Sequence, residues 1–264
     1  MTSKRKLFAA TLAAASVAAL VLLGTAPAGA APALPTSIAA LGDSISQATD
    51  SAGYGNFPAN SWSTGSSSQV DSQAARLAKA LGPKQKLAVY NDSVSGATAS
   101  ALPGQAATAV AQGAQYVTIE IGANDACAKS ATSTAAYTSS IAAAVTTLQN
   151  STAVKWVQVV SVPNLQQLYT LEHGKLVATI AWLVACPGLL VAPAAVQSHV
   201  TAYNAVLQSV CAANSKCVFV PGVAAYSFTA AQISPYDDFH PSVAGQKQLA
   251  ALTSAATPWG ALAP

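Results

Sequence analysis

A histidine follows an aspartate by three residues near the C-terminus, in the segment PYDDFHP at residues 235–241. This spacing allows a tight turn to bring the carboxylate of Asp237 under the imidazole of His240. An imidazole held in this way can carry out proton transfer. A solvated turn explains the same pair when the segment is considered alone.

A serine follows the first apolar stretch of the chain, in the segment GDSIS at residues 42–46. Gly42 allows tight backbone geometry, so that Ser44 would emerge at the carboxyl edge of a sheet, where it could act as a nucleophile. Serine in loops also serves as a cap or turn residue, and the segment alone leaves that alternative open. The segment is not the G-x-S-x-G elbow of α/β-hydrolases, because Ser46 stands at the position of the second glycine.

Alternating strands and helices must position these residues. Short apolar runs without polar alternation predict strands buried on both faces, at residues 37–41, 87–90, 116–121, 155–162 and 217–220. Ala-rich segments of helical length lie between and after them, at residues 70–81, 105–112, 134–149, 196–212 and 243–253. This alternation predicts an α/β domain, a three-layer α/β/α sandwich with a central, mostly parallel five-stranded sheet.

Ligands of such sheets bind beyond the carboxyl ends of the strands, so residues that do chemistry should lie in the loops just after them. The segment NDSVSGA at 91–97 follows the second predicted strand, and GAND at 122–125 follows the third. Both loops, like the one that contains Ser44, are therefore expected at the same edge of the sheet.

Two further regions lack a simple pattern. Residues 51–68 are rich in Gly, Ser and Asn but include Tyr54, Phe57 and Trp62, which predicts a long irregular loop of a kind that is often functional. Residues 163–193 carry many large apolar side chains. Either a helix packed on the core or an apolar wall or lid for an acyl chain accounts for them. Pro187 and Gly188 interrupt the run and argue against a membrane span.

Four short motifs together resemble those of a known family. Gly-Asp-Ser at 42–44, the glycine of Ser-Gly-Ala at 95–97, Gly-x-Asn-Asp at 122–125 and Asp-x-x-His-Pro at 237–241 occur in the order found in SGNH hydrolases, also called GDSL lipases and esterases. The chain departs from the name motif only at Ile45, where the family has leucine. The export signal and the Ala-rich, cysteine-containing body resemble the secreted actinobacterial branch. This resemblance implies the flavodoxin-like SGNH hydrolase fold.

The resemblance also implies the roles of three residues. Ser44 would be the nucleophile, His240 the general base and Asp237 the carboxylate that orients the imidazole. The chemistry is consistent, because a serine hydroxyl is a poor nucleophile until an adjacent, correctly oriented base accepts its proton. Asp238 remains the alternative acid, although the spacing favours Asp237. His173 and His199 lie in presumptive helical or lid segments.

Acyl transfer also needs hydrogen-bond donors aimed at the oxyanion. By resemblance these are the backbone N–H groups of Ser44 and Gly96 and the side-chain amide of Asn124. We interpret the other polar residues of the loops as structural residues that fix the loop conformations, namely Asp43, Asn91, Asp92 and Asp125.

The N-terminus has the pattern of a cleaved signal peptide. Three basic residues at 4–6 precede an apolar run at 7–24, and Ala28-Gly29-Ala30 follows as a small-residue cleavage site. A permanent anchor is the alternative, but the apolar run is short for a bilayer span of roughly 20 residues. Cleavage would leave residues 31–264 as one domain, with nine basic residues (12 less three) against nine acidic ones. Neither a membrane anchor nor nucleic-acid binding is then expected.

The four cysteines, Cys127, Cys186, Cys211 and Cys217, all lie in the exported part. Two disulfides are expected there, because an oxidising compartment lets them persist. A zinc site is the alternative, but no pair has C-x-x-C spacing and none has a nearby histidine. Of the three pairings we choose Cys127 with Cys186 and Cys211 with Cys217.

These observations predict a secreted, extracellular, monomeric serine esterase or lipase that needs neither metal nor organic cofactor. Lipid-like or simple acyl esters are its expected substrates. A polysaccharide deacetylase would use the same residues with a different pocket, and a thioesterase or peptidase would share the triad. The alternative from another class is a secreted binding protein that has lost its chemistry.

Overall fold

Five short apolar segments form one parallel sheet in the computed structural model, which describes residues 32–264. The predicted leader lies outside the described residues. The strands are β1 (Ser37–Gly42), β2 (Ala88–Asn91), β3 (Tyr116–Glu120), β4 (Trp156–Val160) and β5 (Cys217–Val220). They match the predicted segments to within two residues at each end, and they run in the order β2-β1-β3-β4-β5.

The strand order places a topological switch point beside β1. The chain passes from β1 to β2 on one side and then crosses to β3 on the other side of β1. In open α/β sheets the crevice at such a point, beyond the carboxyl ends of the strands, is the usual ligand site. Ser44 follows β1 and Asn124 follows β3, so both lie at this crevice.

The five predicted helices are present, with ends shifted by at most three residues. They are α1 (Gln73–Leu81), α2 (Leu102–Ala111), α4 (Thr134–Asn150), α8 (Pro193–Ala212) and α10 (Val243–Ser254). Shorter helices complete the domain, namely α3 (Ala123–Cys127), α5 (Leu165–Glu172), α6 (Leu176–Ala185), α7 (Pro187–Val191) and α9 (Gly222–Ala225). Helices α2, α4 and α8 pack side by side, whereas α1 contacts α10.

The two faces of the sheet have different cores. Val117 and Ile119 of β3 belong to the large apolar cluster that also contains residues of α2, α4 and α8. Tyr116, on the alternate face, donates a hydrogen bond of 2.6 Å to Gln73 of α1. Gln73 in turn donates to Gln158 of β4, whose amide reaches the carbonyl of Thr253 in α10. A satisfied polar network therefore joins the sheet to α1 and α10, because buried amides need partners.

Two disulfides form within the described residues, with the pairing that was predicted from the sequence. Cys127 at the end of α3 pairs with Cys186, which separates α6 from α7. Cys211 near the end of α8 pairs with Cys217 at the start of β5. Within residues 32–264, none of the helices has the length and apolar character that crossing a bilayer requires.

The predicted long loop at 51–68 is irregular apart from a short 3-10 helix at Pro58–Asn60. It is nevertheless anchored, because Trp62 is buried and its backbone N–H donates to Gln246 of α10 at 2.9 Å. The amide of Gln246 donates to the carbonyl of Ile45, also at 2.9 Å. One buried glutamine thus ties the loop and the last helix to the segment that carries Ser44.

Candidate active site

The turn that presents Ser44 is fixed by its neighbours on both sides. Gly42 has a φ of +129°, and a Cβ at this position would lie 1.9 Å from the carbonyl oxygen of Glu120, so only glycine fits. The side chain of Gln105 in α2 accepts from the Gly42 N–H at 2.7 Å and donates to its carbonyl at 2.9 Å. Asp43 accepts the N–H of Ile45 at 3.0 Å, which closes the turn around Ser44.

Ser44, His240 and Asp237 form a continuous series of hydrogen bonds. Nε2 of His240 lies 2.8 Å from Oγ of Ser44, and Nδ1 is hydrogen-bonded to Oδ2 of Asp237. The second oxygen of Asp237 accepts the backbone N–H groups of Phe239 at 3.0 Å and His240 at 3.1 Å. All three side chains are buried. The structure therefore brings together the three residues to which the sequence analysis assigned a triad.

The alternative acid, Asp238, points elsewhere. Its carboxylate lies 3.6 Å from Nζ of Lys175, and its carbonyl accepts the indole N–H of Trp182 at 3.2 Å. A φ of +49° at Asp238 turns the backbone between the two aspartates. This conformation directs only the first of the two carboxylates towards His240.

Asp237 is held in its charged form. Burial by itself would raise the pKa of this carboxyl, but the hydrogen bond from His240 and the two backbone donors outweigh burial and lower the pKa. A carboxylate that accepts from Nδ1–H fixes the imidazole in the tautomer whose Nε2 lone pair faces Ser44. The site can therefore accept a proton from the serine hydroxyl.

Three of the residues that line the cleft beside Ser44 carry hydrogen-bond donors. Within residues 32–264, the backbone N–H groups of Ser44 and Gly96 have no hydrogen-bond acceptor. Gly96 has a φ of +81° with open space around it, which suits a residue that lets a ligand approach the backbone. The amide of Asn124 donates one hydrogen to the carbonyl of Ala97 at 2.9 Å, which orients the group and leaves its second hydrogen free for a ligand.

The remaining polar residues of the motifs connect the loops. Asn91 donates to the carbonyl of Ser46 at 3.0 Å, and Asp92 accepts from Gln112 at 2.9 Å. Asp125 accepts the N–H of Ala99 at 2.9 Å, so that the loop of Asn124 is joined to the loop of Gly96. These contacts fit the structural roles that the sequence analysis gave them.

A buried carboxyl pair behind the turn escaped the sequence analysis. Glu120, at the end of β3, is fully buried and lies close to the carboxyl group of Asp43. No donor among the described residues reaches either oxygen of Glu120 or Oδ2 of Asp43. Burial raises the pKa of Asp43 to about 6 and that of Glu120 well above its ordinary value. Because two buried carboxylates cannot face each other unprotonated, the pair retains a proton. Glu120 lies inside a predicted strand, so no motif marked it.

A second carboxylate near His240 was also missed. Oδ2 of Asp50 lies 4.0 Å from Nδ1 of His240, and its other oxygen accepts the N–H of Gly55 at 2.6 Å. Burial raises the pKa of Asp50. Ligand atoms of Asp50, Asp237 and His240 lie within 4.8 Å of one another, a spacing that could hold a metal ion. Because the hydrogen bond between Asp237 and His240 occupies the Nδ1 position, we interpret Asp237 and His240 as a proton-transfer pair.

Two open clefts meet at His240. The first, of about 410 Å³, is lined by Ser44, Gly96 and Asn124. The second, of about 420 Å³, is lined by Asp50 together with Tyr54, Tyr236 and residues of α6. Val184 and Ala185, at the end of α6, form a wall of both clefts. A ligand that fills the cleft beside Ser44 would therefore contact the end of this helix.

Both interpretations of residues 163–193 have a counterpart in the structure. Leu165 and Leu168 of α5 are buried in the core and line a small apolar cavity of about 40 Å³ beside His240. Ile45, Phe228 and Phe239 also line this cavity. Helix α6 instead forms the cleft wall. The region is thus three short helices, with a packed part and an exposed part.

The other two histidines lie outside this arrangement. His173 stacks on Tyr169, with ring centroids 4.7 Å apart, and its Nδ1 lies 2.9 Å from the carbonyl of the same residue. His199 lies on α8, with its ring centroid 6.2 Å from that of Tyr203. Neither lines the cleft that contains Ser44.

Comparisons with known proteins identify the family and the fold. Residues 40–248 match the GDSL-like lipase/acylhydrolase family. No curated protein matches the sequence significantly. Among solved structures, a lipase/acylhydrolase from Enterococcus faecalis is 19% identical with a TM-score of 0.53, covering 82% of this chain and 92% of its own. A carbohydrate acetylesterase from Sinorhizobium meliloti is 14% identical with a TM-score of 0.51, covering 81% and 94%. A psychrotrophic esterase from Pseudoalteromonas is 16% identical with a TM-score of 0.50, covering 82% and 93%. At such identities these structures share the fold.

Proposed function

Since the chain belongs to the GDSL-like lipase/acylhydrolase family, we propose that it is a serine esterase that hydrolyses carboxylic esters through an acyl-enzyme formed on Ser44. The observation that carries this proposal is the uninterrupted series of hydrogen bonds from Ser44 through His240 to Asp237 at the wall of an open cleft. Free donors on the same cleft supply the other requirement of acyl transfer.

The first half of the reaction follows from these positions. Oγ of Ser44 attacks the ester carbonyl carbon while Nε2 of His240, 2.8 Å away, takes the hydroxyl proton. Asp237 stabilises the imidazolium that results. When the tetrahedral intermediate collapses, the bond to the alcohol oxygen breaks and His240 returns the proton to the leaving alcohol. Water then attacks the acyl-enzyme by the same route, which releases the acid and restores Ser44.

The developing oxyanion is stabilised in the same cleft. The N–H groups of Ser44 and Gly96 and the amide of Asn124 would donate to it as the carbonyl carbon becomes tetrahedral. Removing one such donor typically lowers turnover by about 100- to 1,000-fold. Because Asn124 is oriented beforehand by its bond to Ala97, the donor costs no rearrangement during the reaction.

Lipid-like or simple acyl esters are the proposed substrates. Apolar walls on two sides of His240 support this choice, namely the small cavity under α5 and the end of α6. Deacetylation of a carbohydrate is the second candidate. The cleft edge formed by Thr49, Ser95 and Thr98 offers hydroxyl groups to a sugar, and the Sinorhizobium relative is a carbohydrate acetylesterase.

We also propose that the enzyme acts outside the cell. The sequence pattern of a cleavable leader and the two disulfides support export, because disulfides persist in oxidising compartments. Membership of the actinobacterial branch stays a proposal based on the same features.

Ser44→Ala tests the mechanism, and Ser46→Ala is its matched control. The hydroxyl of Ser46 is buried and has no hydrogen-bond partner among the described residues, so its loss should leave activity nearly unchanged. Ser44→Ala should abolish hydrolysis of nitrophenyl esters and covalent labelling by a phosphonate probe, the inhibitor class found with the Pseudoalteromonas esterase. Substantial residual activity would refute the assignment. A folded parent protein that is neither labelled nor active would favour a binding protein.

Nitrophenyl esters of increasing chain length, assayed beside acetylated xylan and phospholipid, would separate the two substrate classes. The same assay with and without EDTA tests the metal-independent mechanism. Activity that is lost with the chelator and restored by a divalent ion would contradict it.

A further inference from the structure

Helix α6 presents its branched aliphatic side chains to solvent, whereas Ala178 and Trp182 face the protein. The aliphatic residues on its outer side range from 40% exposed at Val177 to 88% exposed at Val184, and Leu176, Ile180 and Leu183 lie between these values. Their spacing of one, three or four residues marks one continuous helix face. Globular helices normally bury such a face, so this exposure needs an explanation.

The inward side of α6 shows how the helix is held in this orientation. Ala178 and Trp182, four residues apart, are its fully buried residues, and Trp182 donates to the carbonyl of Asp238. Cys186, which follows the helix, is bonded to Cys127. Lys175, which precedes it, pairs with Glu172 and Asp238. These attachments fix the helix from one side and at both ends, so its apolar face is held in place.

The exposed face forms the rim of the active-site clefts. Val177 and Ile180 line the cleft that contains Asp50, and Val184 lines both clefts. Across the same cleft, Tyr54 is largely exposed and packs edge-on against Tyr236, with ring centroids 5.5 Å apart. Tyrosine is enriched where proteins meet the polar-apolar boundary of lipid. The rim thus has an aliphatic side and an aromatic side around the entrance to Ser44.

From this arrangement we propose that the outer face of α6 is a docking surface for a lipid-water interface, so that esters in lipid aggregates enter the cleft from the surface on which the enzyme sits. This inference rests on the proposed esterase function and specifies how the substrate is presented. The ligand that we propose for this face is an uncharged or zwitterionic lipid surface. A helix at the protein surface binds such surfaces by burying its exposed apolar face at the boundary between headgroups and acyl chains.

Charge and size favour lipid over a protein partner. No charged residue occurs from Leu176 to Ser198, and Lys175 is already paired, so the face offers nothing that an anionic partner would need. Its polar groups are also too few for the roughly ten hydrogen bonds of a typical protein interface. A helix of 10 residues is about 15 Å long and about 10 Å wide. Its outer face is therefore smaller than the roughly 800 Å² that each partner buries in a stable dimer.

The test measures binding to phosphatidylcholine vesicles by sedimentation, in a Ser44→Ala background so that the lipid stays intact. Leu176→Gln combined with Leu183→Gln changes two residues of the outer face that line neither cleft. We expect the double substitution to weaken partitioning by roughly 30-fold, because each leucine contributes apolar area to the interface. Val89→Gln, an exposed aliphatic residue on β2, is the matched control and should bind like the parent. The same preparation is used for all variants, so residues 1–31 contribute equally.

With Ser44 intact, the double variant should hydrolyse nitrophenyl acetate at the parental rate but lose activity on aggregated esters. Thermal unfolding and the two single substitutions establish that the fold is retained. Equal vesicle binding by parent and double variant would overturn the proposal. So would binding that requires anionic lipid and disappears in high salt, or a dimer, seen by ultracentrifugation, that the double substitution dissociates. A parent protein that hydrolyses none of these esters would instead contradict the esterase function. The vesicle-binding result would still test the docking surface, because it does not depend on hydrolysis.

Discussion

Removing the disulfide between Cys127 and Cys186 should change substrate preference as well as stability. Cys127 ends α3, three residues after Asn124, and Cys186 follows the cleft wall formed by α6. The bridge therefore joins the helix that carries the proposed oxyanion donor Asn124 to the proposed substrate-facing wall. The perturbation is the double substitution Cys127→Ala and Cys186→Ala, with Cys211→Ala and Cys217→Ala as the matched control.

The loop lengths set the expected loss of stability. The first bridge spans a sequence separation of 59 residues and the second a separation of six. From the chain-entropy relation, these closures contribute about 4 and about 2 kcal/mol to the free energy of unfolding. For a domain of this size, about 1 kcal/mol corresponds to a change of roughly 3 °C in Tm. We therefore expect Tm to fall by about 12 °C without the long bridge and by about 6 °C without the short one.

The effect on activity should separate the two bridges more clearly. Without its attachment to α3, the end of α6 no longer holds Val184 and Ala185 in a fixed position in the cleft. Losing the ordered contact of a single methylene group corresponds to about a fourfold loss in kcat/KM. The ratio of kcat/KM for nitrophenyl octanoate to that for nitrophenyl acetate should therefore fall at least fourfold in the first variant. It should stay constant in the control.

Calorimetry and initial rates at 25 °C, well below the lowered Tm, provide both measurements. The reasoning would be refuted by an unchanged ratio in the variant that lacks the long bridge. It would also be refuted by an equal change in the control, because the bridge between Cys211 and Cys217 lies away from the residues that line the cleft.

Three further predictions follow from the site. Asn124→Ala should lower kcat about 100-fold or more with little change in KM, because the amide acts mainly on the transition state; an effect confined to KM would assign it to ground-state binding. Activity should fall reversibly on acidification, since protonated His240 cannot accept the serine proton. Because the pKa of Asp237 is lowered, the contribution of this carboxylate to stability is lost only at more acidic pH, so circular dichroism should detect unfolding only after activity is lost. Glu120→Gln should reduce the loss of stability as pH rises from about 4 through about 6, because the raised pKa values of Asp43 and Glu120 keep protons in the folded state and an amide donor to Asp43 removes that need. Urea unfolding measures this loss, and an equal pH dependence of the free energy of unfolding in parent and variant would argue against the shared proton.

Local sequence was sufficient for the five strands, the five longer predicted helices and their order, but not for the short helices between them. The central strands β1, β3 and β4 are short apolar runs buried on both faces, as predicted, whereas the edge strands β2 and β5 are partly exposed because only one side of each is paired. The major helices are Ala-rich segments bounded by polar caps such as Ser72, Ser133 and Ser242. Both signals act over a few residues and need no distant contact to be recognised. The alternation of strands and helices then restricts the fold to a parallel α/β sheet, and that sheet directs polar loops to one edge.

The candidate triad was predictable for the same reason. The aspartate and the histidine lie within one turn, and the serine and asparagine loops each follow a strand directly. In motifs of this kind, the short spacing along the chain largely fixes where the side chains lie. The sequence left Asp237 and Asp238 as alternatives because both are close to His240 along the chain. Only the backbone conformation between them, with its positive φ at Asp238, distinguishes the two carboxylates.

Other features depend on which distant segments meet, and only the tertiary structure decided them. Glu120 is an ordinary strand residue in sequence and becomes notable only because its carboxyl meets Asp43 from a neighbouring strand. Asp50 gains its place beside His240 through a loop and a chain end that are 190 residues apart. Helix α6 is apolar on every side, so its sequence has no periodicity that would tell which face is buried. The small residues beside Trp182 fit the protein surface, and this packing leaves the larger aliphatic side chains facing solvent.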